Sequence, residues 1–350
     1  MANDAANLHI EATMRPGVPN GLLTLLWVFT WALVHGVPSP VPVWLPPLSN
    51  VSAPLGRRRA DRWTVDRGME SARASSKGGR ASDDLGTLDD TSLEIRSLAA
   101  RLVAARRERV PVPLLTAGGP LSLLDAYDIQ RLSTDLWQRE TGSRAVGYKI
   151  SLTSDETQSV LNTSEPSYGH LFDEQILRSP AEVSLGGLFS PLIEPELVFV
   201  FDEDLPPHAG HDDIRRCARI APGFELPDAR YESWFGEPAL TLPDFVADNS
   251  AAGMVIIGEA VPATAAEWHA TEVEVTLDGA RVQYGHATAV LGNPLRSVAW
   301  LSRQLALRNE GLRAGDIVSS GTFCPPVRLR TGLYLAAFAQ LGVVSVTVTE

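Results

Sequence analysis

The chain has 350 residues, 44% of them apolar and 21% charged, which is enough to bury a sizeable core and leaves room for more than one domain. A formal net charge of −12 and the lack of a basic recognition stripe exclude nucleic acid or an anionic membrane as the main partner. The two cysteines, Cys217 and Cys324, are far apart and have no His or Cys at ligand spacing nearby; this excludes a disulfide framework or zinc knuckle and fits a reducing, cytoplasmic compartment.

Residues 16–56 hold no Asp, Glu, Lys or Arg, and Gly21–Val37 is an apolar run, short for a membrane span and interrupted by Thr24, Thr30 and His35. Arg15 is the one arginine or lysine before it, and no small-residue cleavage site follows, so a signal peptide is poorly matched. A proline-rich stretch and then a basic, Ser/Gly/Asp-rich stretch lead to residue 90. Membrane anchor, export signal and a segment outside the working protein are the competing readings. The last is preferred, because Met69 offers an internal start shortly before globular patterning begins. Residues 1–90 are expected to be an unstructured or non-functional extension and 91–350 a single catalytic domain, with no membrane association.

Apolar residues recur at helical spacing from Thr91 to Arg107, with Glu94 three positions after Thr91 in a capping-box arrangement. A second helix is predicted over Leu121–Glu140, terminated by Gly142. Val146–Ile150 then reads as an apolar strand containing Lys149, whose ammonium is costly there without an acidic partner. Taken alone it reads as solvent-facing; beside an acidic metal site it becomes a candidate proton carrier. Glu165–Asp173 reads as a turn feeding a short strand, with His170 a hydrogen-bonded loop histidine rather than a base.

The most informative stretch is SPLIEPELVFVF, Ser190–Phe201. Residues i and i+2 of a strand share a face, so Glu194 and Glu196 present two carboxylates together, an arrangement that calls for a cation. An E-x-E pair alone is usually two exposed acids, and it gains meaning only from further ligands. His208 and His211 follow in a Pro/Gly/Asp-rich loop that explains both as surface residues. The segment from Asp212 to Tyr231 reads as a helix into a strand, with Pro222 and Gly223 marking the break. Glu225 in the apolar GFEL is the best third ligand, since an unpaired carboxylate there is expensive.

Asp244–Gly258 pairs a polar turn with an apolar strand, and the small residues from Asn249 to Gly253 allow a ligand close to the backbone. A hairpin with a turn at Asp278–Gly279, a helix after Asn293, a strand ending in Ser319–Gly321 and a closing strand complete the chain. Strands dominate from Val146 onward with helices outside, which indicates one β-rich domain of mixed topology. There is no GxGxxG, Walker loop or G-x-S-x-G to support a nucleotide or serine-hydrolase reading.

In this order, GYKISLTS, EPSYGHLF, PLIEPELVFVF, PGFELPDARY, ADNSAAG, GNPLRSVAWL and AGDIVSSG resemble the fumarylacetoacetate hydrolase superfamily over residues 91–350. The likeness is closest to its bacterial 2-oxopent-4-enoate hydratases and 4-oxalocrotonate decarboxylases. It implies an α+β fold built on a mixed β-roll with peripheral helices, a Mg²⁺ or Mn²⁺ site of Glu194, Glu196 and Glu225, Lys149 in the active site, and a homo-oligomer. The implied reaction is addition of water to a 2-hydroxyalka-2,4-dienoate through an enolate at the metal, with Lys149 carrying protons and Asn249, Ser250 and Ser167 on the substrate. Decarboxylation of a 4-oxalocrotonate passes through the same enolate and is the alternative.

Two departures qualify the likeness: Ser167 stands where the family's turn carries an aspartate, and Ala251 where it carries a hydroxyl, with Ser250 displaced by one. They raise the further alternative of a non-catalytic homologue. An acylpyruvate hydrolase is disfavoured because no histidine is placed to activate water.

Overall fold

A computed structural model describes residues 90–350 apart from 233, 237 and 265–267. The apolar run Gly21–Val37, Met69 and the expected extension lie outside the described residues, as does the side chain of Thr91. Among the described residues no helix is long and apolar enough to cross a membrane.

The described chain opens with helices α1 (Asp90–Glu108) and α2 (Leu123–Thr141). Ser122 starts α2 by accepting from the Asp125 amide at 3.1 Å, and Gly142, at φ 75°, ends it by donating to Gln138 O at 2.9 Å. There follow β1 (Ala145–Ser151), α3 (Asp155–Val160), β2 (Ser167–Phe172), β3 (Ile176–Arg178), β4 (Ala181–Ser184), β5 (Leu192–Phe201), α4 (His211–Cys217) and β6 (Ala218–Leu226). Then come α5 (Leu242–Ala247), β7 (Met254–Ile257), β8 (Val261–Pro262), β9 (Glu272–Leu277), β10 (Ala280–His286), α6 (Pro294–Ala306), β11 (Ile317–Thr322), β12 (Val327–Arg328), β13 (Gly332–Phe338) and β14 (Gly342–Thr349). Asp278 and Gly279, at φ 50° and 84°, make the predicted β9–β10 turn.

One sheet runs β2-β1-β11-β5-β6-β7-β3, with β12 on β5 and β8 on β6; the second runs β10-β9-β13-β14-β4. Both are mixed: β1 is parallel to β11, while β5 lies antiparallel between β11 and β6, and β14 is parallel to β4. The fold is the expected α+β arrangement, a mixed β-roll with peripheral helices.

Alternation along the strands of the first sheet decides where the chemistry sits. Ile150, Tyr168, Phe199, Phe201, Ile220 and Phe224 point into a core shared with Val275, Tyr334 and Val346 of the second sheet. One residue out of phase, Lys149, Glu194, Glu196 and Glu225 point to the other face. There, Leu102 of α1, Ile129 of α2 and Phe245 of α5 pack with Leu192 in a second apolar cluster. The polar residues thus lie between the sheet and the helix layer.

Two expectations are corrected. Pro222 and Gly223 do not break the chain, because β6 runs unbroken from Ala218 to Leu226. The Pro222 carbonyl accepts from Gly258 N at 2.8 Å, so its edge faces away from β5, into the gap between the pairings to β8 and β7. Pro195 does the same on β5: its carbonyl accepts from Phe323 N at 3.0 Å, on the edge where the β5–β11 register slips. Neither missing N–H interrupts the β5–β6 ladder, which is how proline is tolerated inside a sheet. The second correction concerns Asp244–Ala247, expected as turn. These residues complete α5, because the Thr241 hydroxyl accepts from Asp244 N at 3.2 Å and Pro243 sits in the first turn.

Candidate active site

Glu194 of β5 is the register partner of Glu225 of β6, and Glu196 follows two residues along on the same face. One carboxylate oxygen from each lies within 4.8 Å of the others. Glu196 and Glu225 are fully buried and Glu194 is half-buried. Burial, then the neighbouring carboxylates, pushes the Glu194 carboxyl up to about 8 and Glu196 well above its ordinary value. Glu225 is raised by burial as well, against the opposing pull of Lys149.

Lys149 comes from β1. Its Nζ stands 3.2 Å from Glu225 Oε1, donates to Ser250 O at 2.9 Å and donates to Ser151 Oγ. Register places Ser319 of β11 beside it, and the Ser319 hydroxyl donates to Glu196 Oε2 at 2.6 Å, with Gly321 N donating to the same oxygen at 2.8 Å. The Phe245 ring, 5.9 Å from Nζ, forms an apolar wall.

Whether these residues fit a divalent cation can be judged from what is left over. Three carboxylates, two of them fully buried, face a single ammonium, and Glu196 Oε1 and both Glu225 oxygens have no hydrogen-bond partner; the Lys149 contact to Glu225 is ionic without hydrogen-bond alignment. Unpaired anionic oxygens in the interior are expensive, and an all-oxygen donor set suits a hard ion that keeps open positions. The residues fit such an ion.

The other expected residues are placed as follows. Ser250 Oγ lies 3.1 Å from Ser167 Oγ and donates to Tyr168 O at 2.9 Å, so the two hydroxyls pair beside Lys149. Asn249 was expected on the substrate, but its amide is committed to backbone: Oδ1 accepts from His170 N at 2.7 Å and Nδ2 donates to His170 O at 2.8 Å. His170 is a strand residue rather than a loop one. It shares the opposite face with Tyr148 and Tyr168, and burial lowers its pKa to about 4. It therefore offers no base to the carboxylate face. Cys217 and Cys324 are free and buried, and burial with the nearby Glu194 pushes Cys324 up to about 12, which leaves it a neutral thiol.

Sequence reasoning missed Ser151 and Ser319, although period-two alternation from Lys149 already puts Ser151 on its face. It also missed a buried bracket behind the site. Arg230 Nε bonds Asp248 Oδ1 at 2.5 Å, and its other nitrogens donate to the carbonyls of Asp228, Ala252 and Asp248. Asp228 in turn accepts from Phe189 N and Ser190 N at the entry to β5. No spacing rule reveals contacts of that kind.

The fumarylacetoacetate (FAA) hydrolase C-terminal family model matches residues 233–349. A 2-keto-4-pentenoate hydratase of Burkholderia vietnamiensis is 34% identical over 270 residues, covering 75% of this chain and 99% of that protein. The chain belongs to the fumarylacetoacetate hydrolase family. Within that family, a 2-hydroxyhexa-2,4-dienoate hydratase of Comamonas testosteroni is 30% identical over 71% of this chain and 94% of its own length. The solved 4-oxalocrotonate decarboxylase of Pseudomonas putida G7, complexed with magnesium and adipate, is 27% identical, with a TM-score of 0.68 over 73% of this chain and 97% of that one.

Proposed function

We infer that this member of the fumarylacetoacetate hydrolase family is a metal-dependent hydratase that adds water to a small 2-hydroxyalka-2,4-dienoate of the 2-oxopent-4-enoate type. The observation that carries this reading is the convergence of three carboxylates, two of them fully buried, with Lys149 in contact with Glu225. Glu194, Glu196 and Glu225 would hold Mg²⁺ or Mn²⁺; the magnesium of the Pseudomonas decarboxylase supports the choice of a hard ion. Such an ion supplies positive charge against the enolate that develops at the substrate's 2-oxygen.

The protein's own groups do the rest. Lys149, in contact with Glu225, Ser250 O and Ser151, gives a proton to the far carbon (C5) of the dienol and takes one back from the water that adds at C4, while the proton released by the 2-hydroxyl ends on C3. Phe245 and the cluster around Leu192 keep bulk water from the reacting carbons. The Ser167–Ser250 pair offers two hydroxyls, so it can orient a substrate oxygen without adding charge.

Decarboxylation of a 4-oxalocrotonate is a second reading, favoured by the decarboxylase that shares the fold at 27% identity. Incubation of the full chain and Mg²⁺ with 2-hydroxypenta-2,4-dienoate and with 4-oxalocrotonate tests both, following ultraviolet absorbance and CO₂ together. Loss of dienol absorbance without CO₂ supports the hydratase. CO₂ release from the diacid supports the decarboxylase, and neither signal contradicts both.

A further inference from the structure

We propose that the left-handed turn Asn249–Ser250–Ala251 positions Lys149 for the reaction, and that Asn249 is the residue that holds the turn in place. The inference rests on the reading of Lys149 as the proton carrier. Three consecutive residues with side chains sit at φ 56°, 49° and 54°. Such residues visit that region singly and at a cost, and strain kept in a native structure needs something that gains from it.

What this turn accomplishes is the aim of one carbonyl. Ser250 O accepts from Lys149 Nζ at 2.9 Å and Ser151 Oγ accepts from it as well, so the two hydrogen bonds aim Nζ while Glu225 Oε1 adds an ionic contact at 3.2 Å. Ser151 and Glu225 belong to strands of the first sheet, so their places follow from the strand ladder. Ser250 O comes from outside the sheet, and its place depends on the turn alone.

The Ser250 hydroxyl, bonded to Tyr168 O and Ser167 Oγ, and the Ala251 carbonyl, accepting from Asp228 N at 2.9 Å, tie the turn's later residues, and two further fastenings fix where it begins. Ahead of it, Arg230 grips both the carboxylate and the carbonyl of Asp248. At the turn itself, the Asn249 amide spans the peptide of His170, accepting from its N–H and donating to its carbonyl as a further strand residue would on the edge of β2. The strand is shaped to receive it: a Cβ on Gly169 would lie 2.0 Å from Asn249 O. With its amide taken up in this way, Asn249 acts through Lys149 and is a positioning residue.

The test uses the full chain with Mg²⁺ in two variants, Asn249→Gly alone and together with Ala251→Gly. Glycine adopts φ near +56° without strain, so N249G removes the strap while leaving the turn's backbone accessible. A positioning role predicts that N249G loses at least about 10-fold in kcat, with KM and the calorimetric Mg²⁺ affinity within about twofold of the parent. Adding A251G relieves a second strained residue and raises Tm by about 1–3 °C without recovering kcat.

A wild-type kcat in N249G, or recovery of kcat together with Tm in the double variant, overturns the proposal and leaves Asn249 a purely structural role. Should N249G fail to fold, N249D keeps the acceptor for His170 N and loses the donor to His170 O, and the same three measurements decide. The two ideas fail separately. A wild-type chain that with Mg²⁺ turns over neither the dienoate nor the diacid removes the lyase reading, whereas wild-type kcat in N249G removes only the role of the turn.

Discussion

Lys149 Nζ stands 3.2 Å from Glu225 Oε1, with both side chains sealed from solvent. Contact between a buried lysine and a buried glutamate offsets part of the cost of taking both out of water, yet Glu194 and Glu196 add two more acids to the same face. The arrangement is balanced when a divalent cation joins it, and that surplus of negative charge underlies the predictions below.

Lys149→Ala is expected to lower kcat by about 10²–10⁴, the range a positioned proton donor contributes, while calorimetric Mg²⁺ affinity changes far less. The opposite pattern, with metal affinity lost and turnover per loaded site retained, would assign the lysine to building the site.

The raised carboxyls set the sign of a pH effect. The fold keeps the Glu194 proton up to about pH 8, whereas the unfolded chain releases it near the ordinary glutamate value. Between those values the native state binds more protons, so the metal-free protein loses stability as pH rises through that window; Glu196 and Glu225 act in the same direction. A metal must displace those protons, so its affinity rises over the same range. Thermal scans with EDTA and with Mg²⁺ from pH 5 to 9 should show a gap in Tm that widens with pH. A gap that is constant or narrows contradicts the assignment.

Arg230→Met leaves Asp248 buried without its partner and frees three carbonyls. The loss of stability should be about 3–5 kcal/mol in urea unfolding. A loss below about 1 kcal/mol would mean that the bracket contributes no more than a surface ion pair.

Gly169→Ala drives a methyl against the Asn249 carbonyl, 2.0 Å away, where backbone and not a flexible side chain must yield. Destabilisation of about 1–3 kcal/mol is expected from such overpacking, measured by chemical denaturation. A neutral substitution would show that β2 and the turn do not pack as described.

How much of this was legible in the sequence depends on the range of the interaction. The end of helix α2 was, because Gly142 acts on its own backbone neighbours; its start was expected at Leu121, two residues ahead of the Leu123 that follows the Ser122 cap. The face shared by Glu194 and Glu196 was legible for a similar reason, since alternation along one strand is local. Glu225 was found through its cost in an apolar segment, although its pairing with Glu194 is a matter of register. The continuity of β6 through Pro222 was not legible, because it depends on which edge lacks a partner. The commitment of Asn249 to His170, 79 residues away, and the Arg230 bracket are side-chain-to-backbone contacts between segments, and composition carries no trace of them.

The central claim is that Glu194, Glu196 and Glu225 hold a divalent ion that the reaction requires. It is tested most directly by turnover of a 2-hydroxydienoate after EDTA treatment, titrated back with Mg²⁺, in the wild-type chain and in Glu196→Gln. A glutamine oxygen can still accept from Ser319 and Gly321, so the fold is kept while the ligand oxygen becomes an amide. The account predicts wild-type turnover that vanishes with EDTA and returns with Mg²⁺, and a folded E196Q protein that Mg²⁺ does not activate. Full turnover in EDTA, or wild-type activation of E196Q, would contradict it.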